Sequence, residues 1–329
     1  MHSFWSKCKV LAKLGLSGII AVVPVGLVWL YIIYGGMFYL DSEYAYSRWN
    51  KEACSQNHEG AVKVLVIGDS VVNAALCPDY LSDSTYNLSL GGVSPAEMYY
   101  VLEEYLENNQ APKVCYIGFS DQGYITDQNL YKRILYFHRF SKEQEEAIFA
   151  DAEAFGEQSI LIEDYENERK KYRLWFPDKY ISALMNGGIF MRYSSNMECY
   201  IVVNEHKGSW MSQNENWDTG ADTIEYNSFP VGEMQNYYME KILDLCAENG
   251  ITPRLVMIPV RPNCVCSIEY VEDWYKRAVL WQEHCPQMTY FYRPEGFEYE
   301  DFADDWHMNH NGAAKYSGMI KEIYAEDFE

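Results

Sequence analysis

The sequence predicts an α/β fold. We expect a flavodoxin-like three-layer α/β/α sandwich on a parallel sheet of about five strands, preceded by one N-terminal transmembrane helix. Three observations carry this expectation. Short β-branched apolar runs alternate with helix-period segments from residue 61 onward. Such alternation implies parallel strands joined by crossovers, with helices on both faces. A charge-free run from Leu14 to Leu40 exceeds the roughly 20 apolar residues that a spanning helix needs.

The N-terminal run reads as an anchor. Lys7, Lys9 and Lys13 precede it, and Asp41 and Glu43 follow it. Cationic flanks stay inside, so 1–13 is expected as a cytoplasmic tail, 14–40 as a single-pass anchor in the cell membrane, and the remainder as extracellular. Pro24 is tolerable in such a helix. A cleaved signal peptide is the alternative, but its apolar region is shorter and ends in a small-x-small site. Here the run ends in aromatic residues, which favours an uncleaved anchor. Residues 41–60 read as a short stalk, and 61–329 as the main domain.

Val62–Ile67 is an apolar β-branched run ending at Gly68, as expected for a central strand buried on both faces. Thr85–Leu90 is a second strand, closed by Gly91-Gly92. Ser94-Pro95-Ala96-Glu97 is a helix start: Ser94 caps, Pro95 suits the first helical position, and Glu97 completes a capping box. Met98, Val101, Leu102, Tyr105 and Leu106 then recur at helical spacing. Lys113–Phe119 is a third strand. Met234, Tyr238, Ile242 and Leu245 mark a helix that stops at Asn249-Gly250. Arg254–Val260 is a fourth strand, and Val271, Trp274, Tyr275, Ala278 and Trp281 mark the next helix. Met288–Tyr292 is a fifth strand, and 312–325 a final helix. Sites in such sheets lie outside the carboxyl ends of the strands. Ser70, Gly91-Gly92 and Ser120-Asp121 each follow a strand and are expected along one edge.

Residues from about 125 to 230 break the alternation. A charged helical stretch near 141–172 and a Tyr-, Trp- and Asn-rich stretch at 173–228 read as an insertion that covers or shapes the site. Trp175, Trp210 and Trp217 can stack on sugar faces, or simply pack the insertion's own small core.

Composition excludes several classes. A formal charge of −22 argues against nucleic acid, whose phosphates need clustered Lys and Arg. Twenty-nine tyrosines and nine tryptophans argue against disorder. Of nine cysteines, Cys8 falls in the expected cytoplasmic tail. The others are Cys54, Cys77, Cys115, Cys199, Cys246, Cys264, Cys266 and Cys285, an even number that permits disulfides. Cys115 lies in an expected strand and Cys246 in an expected helix, where buried thiols fit equally well. No CxxC pair is present, so a structural zinc site has little support.

Two segments carry chemistry. Val66-Ile-Gly-Asp-Ser70 places a serine on the turn after the first strand. Asp304-Asp-Trp-His307 places a carboxylate and an imidazole on one side of a turn just before the last helix. The aspartate can accept from one imidazole nitrogen while the other faces a nucleophile, the arrangement that activates a serine. Each half alone is an ordinary turn far more often than a site; their joint occurrence in an alternating frame is the signal. Asp304, Asp305, His307 and His310 also cluster within seven residues and read alternatively as metal ligands. That reading leaves Ser70 without a role, and no cofactor is expected.

On these residues the chain resembles the SGNH (GDSL-type) hydrolase superfamily. Ile67-Gly-Asp-Ser70 matches its first block, Gly92 within Asn87–Gly92 its second, and Asp304-x-x-His307 its last. The third block, normally Gly-x-Asn-Asp, is Gly118-Phe-Ser-Asp121 here, with Ser120 in place of the asparagine. The resemblance spans about 61–122 and 250–329 and leaves the insertion outside. Within the superfamily the chain looks most like the membrane-anchored group that includes the D-alanyl transfer protein of teichoic acid synthesis and the alginate O-acetylation proteins. The resemblance implies a bacterial extracytoplasmic serine esterase or O-acyltransferase. Its substrate would be an acyl ester, acetyl above all, of a cell-envelope polysaccharide or similar polymer, with a membrane-bound O-acyltransferase as a possible partner. It further implies Ser70 as nucleophile, His307 as acid–base group, Asp304 as its orienting carboxylate, and the Ser70 and Gly92 backbone N–H groups as oxyanion donors. Ser120, with one short O–H donor, stands where relatives place a longer amide. Asp69, Asp121 and Asn309, adjacent in the same blocks, are further candidate site residues. The competing expectation is a non-catalytic SGNH-like component that binds glycan or scaffolds a membrane O-acylation complex.

Overall fold

The computed structural model describes residues 2–34, 42–58, 60–125, 137–157, 167, 169–170, 188–210, 212–213 and 222–329. The first helix, α1 (His2–Tyr34), runs unbroken through Pro24, and its Trp5–Leu27 portion is long and apolar enough to cross a membrane. It begins earlier than the expected 14–40 span, taking in Lys7, Lys9 and Lys13; residues 35–40 of that span lie outside the described residues.

The main domain opens with α2 (Tyr44–Ser55). This corrects the expectation of a stalk over 41–60. Ala45, Trp49 and Ala53 recur every four residues, and with Cys54 they bury a continuous stripe. Trp49, Ala53 and Cys54 join the main core.

The chain then alternates as expected: β1 (Val64–Gly68), α3 (Ser70–Ala75), α4 (Pro78–Leu81), β2 (Thr85–Asn87), α5 (Pro95–Asn108), β3 (Val114–Gly118) and the short α6 (Asp121–Ile125). The inserted region supplies α7 (Lys142–Phe155), α8 (Gly188–Glu205) and β4 (Ile224–Tyr226). α9 (Glu233–Glu248), β5 (Thr252–Val256), β6 (Cys264–Cys266), α10 (Ile268–His284), β7 (Thr289–Phe291) and α11 (His310–Ile323) complete the order.

The main sheet has strand order β2-β1-β3-β5-β7, and every pairing is parallel. β4 and β6 form a separate two-stranded parallel ladder that the sequence reading did not anticipate. Alternation along β1 splits the core into two layers. Leu65 and Ile67 face α2, α5, α9 and α10; Val64 and Val66 face α3, α4 and α11. The result is the three-layer α/β/α sandwich that the alternation predicted. The order reverses at β1, whose neighbours β2 and β3 lie on opposite sides of it, and such a switch point opens a crevice at the strands' carboxyl ends.

All nine cysteines are free thiols, and Cys54, Cys77, Cys115, Cys246 and Cys285 are buried. The disulfides that an even count permits are not formed: these thiols pack as small apolar groups.

Candidate active site

Ser70 is the first residue of α3, directly beyond β1 at the switch point. The turn that presents it is tight. A Cβ on Gly68 would stand 1.9 Å from the Gly118 carbonyl oxygen, so only glycine lets β1 and β3 close beneath the serine. Asp69 caps the new helix: its Oδ1 accepts from the Val71 N–H at 3.0 Å and the Val72 N–H at 3.4 Å.

His307 arrives from the other end of the chain, on a loop pinched shut by the antiparallel bridge between buried Phe302 and Met308. Its Nε2 lies 2.8 Å from Ser70 Oγ, across 237 positions of sequence. Its Nδ1 lies 2.9 Å from Asp304 Oδ2 and 3.0 Å from Oδ1. Asp304 Oδ1 also accepts the Trp306 and His307 backbone N–H groups, each at 2.8 Å, which locks the carboxylate in the turn. Burial pushes the Asp304 carboxyl up, but the hydrogen bond from His307 and those two N–H groups outweigh it and hold it at about 2. The carboxylate is thus ionised and aimed at the imidazole, with the second ring nitrogen on the serine.

Ser70, Asp304 and His307 line a cavity of about 740 Å³. Tyr46 and Ser47 of α2, Glu198 and Cys199 of α8, and Phe137, Arg139 and Trp210 line it as well. Part of its wall therefore comes from the segment before β1 and from the inserted region, outside the strand–helix frame that supplies Ser70, Asn73, Leu90 and Gly91. The wall residues of that segment and of the inserted region escaped the sequence reading, except Trp210. The four-residue period of Ala45, Trp49 and Ala53 was the available sign that 41–60 packs into the domain. Trp175 and Trp217 lie outside the described residues.

The remaining candidates separate. Gly91 lines the cavity, and Gly92 beside it adopts a left-handed φ of 62°. Ser120 does not turn its hydroxyl toward the cavity. That hydroxyl donates to Asp69 Oδ2 at 2.6 Å, and the Ser120 N–H to the same oxygen at 2.8 Å. The expectation of a side-chain oxyanion donor at Ser120 is corrected accordingly: a buried carboxylate takes up its only O–H. Burial raises the Asp69 carboxyl, while the Ser120 hydroxyl and the Ser120, Val72 and Val71 N–H groups pull it back. Asp121, raised by burial, accepts from the Tyr270 hydroxyl at 2.8 Å. Asn309 is fully buried. It caps α11 through the Asn311 and Gly312 N–H groups and donates to the Glu300 and Phe302 carbonyls. Its role is to hold the His307 loop, which corrects its candidacy as a binding residue.

The metal alternative does not assemble. Asp305 pairs with Arg261 instead of joining His307, and among the described residues no group of three or more His, Cys, Asp or Glu side chains is placed to hold an ion. No protein-family model matches the chain and no curated protein matches it significantly, so the site is read from its own geometry.

Proposed function

We propose that the chain is a serine acyl-transfer enzyme of the SGNH type, an esterase or O-acyltransferase, anchored in the cell membrane by α1 with its main domain outside. The observation that carries this is the contact of His307 Nε2 with Ser70 Oγ at 2.8 Å, backed by the Asp304 carboxylate on Nδ1.

His307 takes the Ser70 proton as Oγ attacks an ester carbonyl. The tetrahedral oxyanion is held by the Ser70 and Gly92 backbone N–H groups. Asp304 stabilises the imidazolium. His307 then returns the proton to the leaving alkoxide, leaving an acyl-enzyme. Water or a substrate hydroxyl gives its proton to His307 and attacks the acyl carbon, which frees Ser70. Attack by water makes the enzyme an esterase; attack by a sugar hydroxyl makes it a transferase. The cavity is far larger than an acetyl group, which suits an acylated carbohydrate or similar envelope polymer, and Lys7, Lys9 and Lys13 in the first turns of α1 favour a cytoplasmic N-terminus. A membrane-bound O-acyltransferase is the natural partner for the transfer reaction.

Full-length protein in detergent tests the reading. A fluorophosphonate serine probe is expected to label the native chain, with labelling lost in Ser70→Ala and falling about 10⁴-fold or more in rate in His307→Ala. Native protein that resists the probe, or labelling that survives Ser70→Ala, sinks the proposal.

A further inference from the structure

One side chain on the cavity wall is positioned with more care than packing requires. Trp210 is 37% exposed and lines the same cavity as Ser70 and His307. Its backbone is tied directly to the nucleophile's helix. Asn73, one helical turn beyond Ser70, is 5% exposed, and its Oδ1 accepts the Trp210 N–H at 3.2 Å. Asn73 Nδ2 donates to the Gly208 carbonyl at 2.8 Å and to the Ser89 carbonyl at 3.3 Å. The Ser209 hydroxyl donates to the Asn73 carbonyl at 2.9 Å. Gly208 lies at φ 100°, where a Cβ would stand 2.0 Å from the Asn87 carbonyl oxygen and 2.4 Å from the Trp49 ring. Residues 208–210 are therefore clamped by a buried amide and a position that only glycine fills.

For all this anchoring, Trp210 stays more than one third exposed. The cavity it faces has the volume of sites for drug-sized ligands, far beyond an acetyl group. The other walls mix apolar groups, Leu90, Val93, Val202 and Met308 among them, with polar ones. Tyr46 and Phe137 are aromatic, while Glu43, Ser47, Ser195 and Glu198 offer hydroxyls and carboxylates. An acyl-chain tunnel is uniformly apolar. A cavity that offers a flat indole together with hydroxyls and carboxylates matches a pyranose, which has an apolar C–H face and a rim of hydroxyl donors.

We infer that Trp210 is the specificity-determining platform of this site: a pyranose ring of the ester substrate lies against the indole, and Asn73 sets that ring's position relative to Ser70 Oγ. The choice of reaction rests on the acyl-transfer reading above; the binding of the sugar does not.

The test separates the two. Binding of 6-O-acetyl methyl β-glucopyranoside is read by saturation-transfer NMR on full-length Ser70→Ala in detergent, where no turnover occurs. Adding Trp210→Ala is expected to weaken binding about tenfold or more, and Trp210→Phe, which keeps a flat ring, to restore most of it. In the Ser70-intact chain, Trp210→Ala lowers kcat/KM for the acetylated glucoside about tenfold more than for p-nitrophenyl acetate, with the difference in KM. Equal binding in the Ser70→Ala and Ser70→Ala/Trp210→Ala chains overturns the inference, as does an equal loss on both esters. A native chain that binds the sugar but turns over neither ester refutes the acyl-transfer reading and leaves the platform standing.

Discussion

Ser120 donates its hydroxyl and its backbone N–H to one oxygen of Asp69, at 2.6 and 2.8 Å. The other Asp69 oxygen accepts the N–H groups that start α3. A single carboxylate thus ties the exit of β3 to the exit of β1, directly beneath Ser70. The position where the SGNH pattern carries an asparagine here braces the nucleophile's turn.

Ser120→Ala separates bracing from catalysis. Removing the hydroxyl strips one charge-assisted hydrogen bond from a buried carboxylate, so we expect about 1–3 kcal/mol of lost stability in urea unfolding. Loss of a true oxyanion donor costs about 10²–10³ in kcat. We expect less than about tenfold; a drop of 10² or more with unchanged stability refutes the bracing role.

The pH profile follows from Asp304. Held at about 2, below its ordinary 3.8, its charge is present above 3.8 and is lost only as pH falls through about 2. Asp304 itself therefore supplies no acid limb of activity above about pH 4. Asp304→Asn is expected to lower kcat by about 10²–10⁴ while leaving Ser70 in place. A limb that vanishes in Asp304→Asn with full kcat retained contradicts this assignment.

The C-terminal 3₁₀ turn Ala325–Phe328 docks on the middle of β5 and β3. Arg254 forks onto both oxygens of Asp327 at 2.9 and 2.8 Å, and the Tyr116 hydroxyl donates to Oδ2 at 2.8 Å. Asp327→Ala removes the bidentate partner of a largely buried guanidinium and leaves it the exposed Glu326 carboxylate at 3.8 Å and the Thr289 hydroxyl at 2.8 Å, and we expect about 1.5–3 kcal/mol of destabilisation by chemical unfolding. A loss under about 1 kcal/mol would show that the turn is dispensable.

Glu97 offers a pH test of stability. It is fully buried at the start of α5, and its Oε2 accepts the Ser94 N–H at 2.8 Å and the Ser94 hydroxyl at 2.5 Å. Burial pushes its carboxyl from 4.5 up to about 7 against those hydrogen bonds. The folded state therefore binds this proton more tightly than the unfolded chain. Its contribution is full below about pH 4.5 and is lost as pH rises through about 7, a change of about 3 kcal/mol. Between pH 5 and pH 8, the stability of Glu97→Gln relative to the native chain should rise by that order. An unchanged difference would mean that Glu97 is ionised in the fold at both pH values.

The frame was legible because its signals are local. β-branched runs ending in glycine, the Ser94–Glu97 start of α5 and the helical spacing of Met234, Tyr238 and Ile242 each specify an element from a few adjacent residues. The same holds for the apolar run of α1. Ser70 was legible because sites gather at strand carboxyl ends, and Asp304 with His307 because Asp-x-x-His sets a carboxylate and an imidazole on one side of a turn.

The sequence by itself determined the parallel α/β frame, the apolar N-terminal helix and the two turns that bear the Ser, His and Asp. Only the tertiary structure decided what surrounds them. It placed α2 in the core, made Asn309 a cap, gave the Ser120 hydroxyl to Asp69 and hung Trp210 on Asn73. The physical reason is that a turn's shape depends on neighbours in sequence. The partner of a buried hydroxyl, amide or carboxylate depends instead on which distant group arrives to satisfy it.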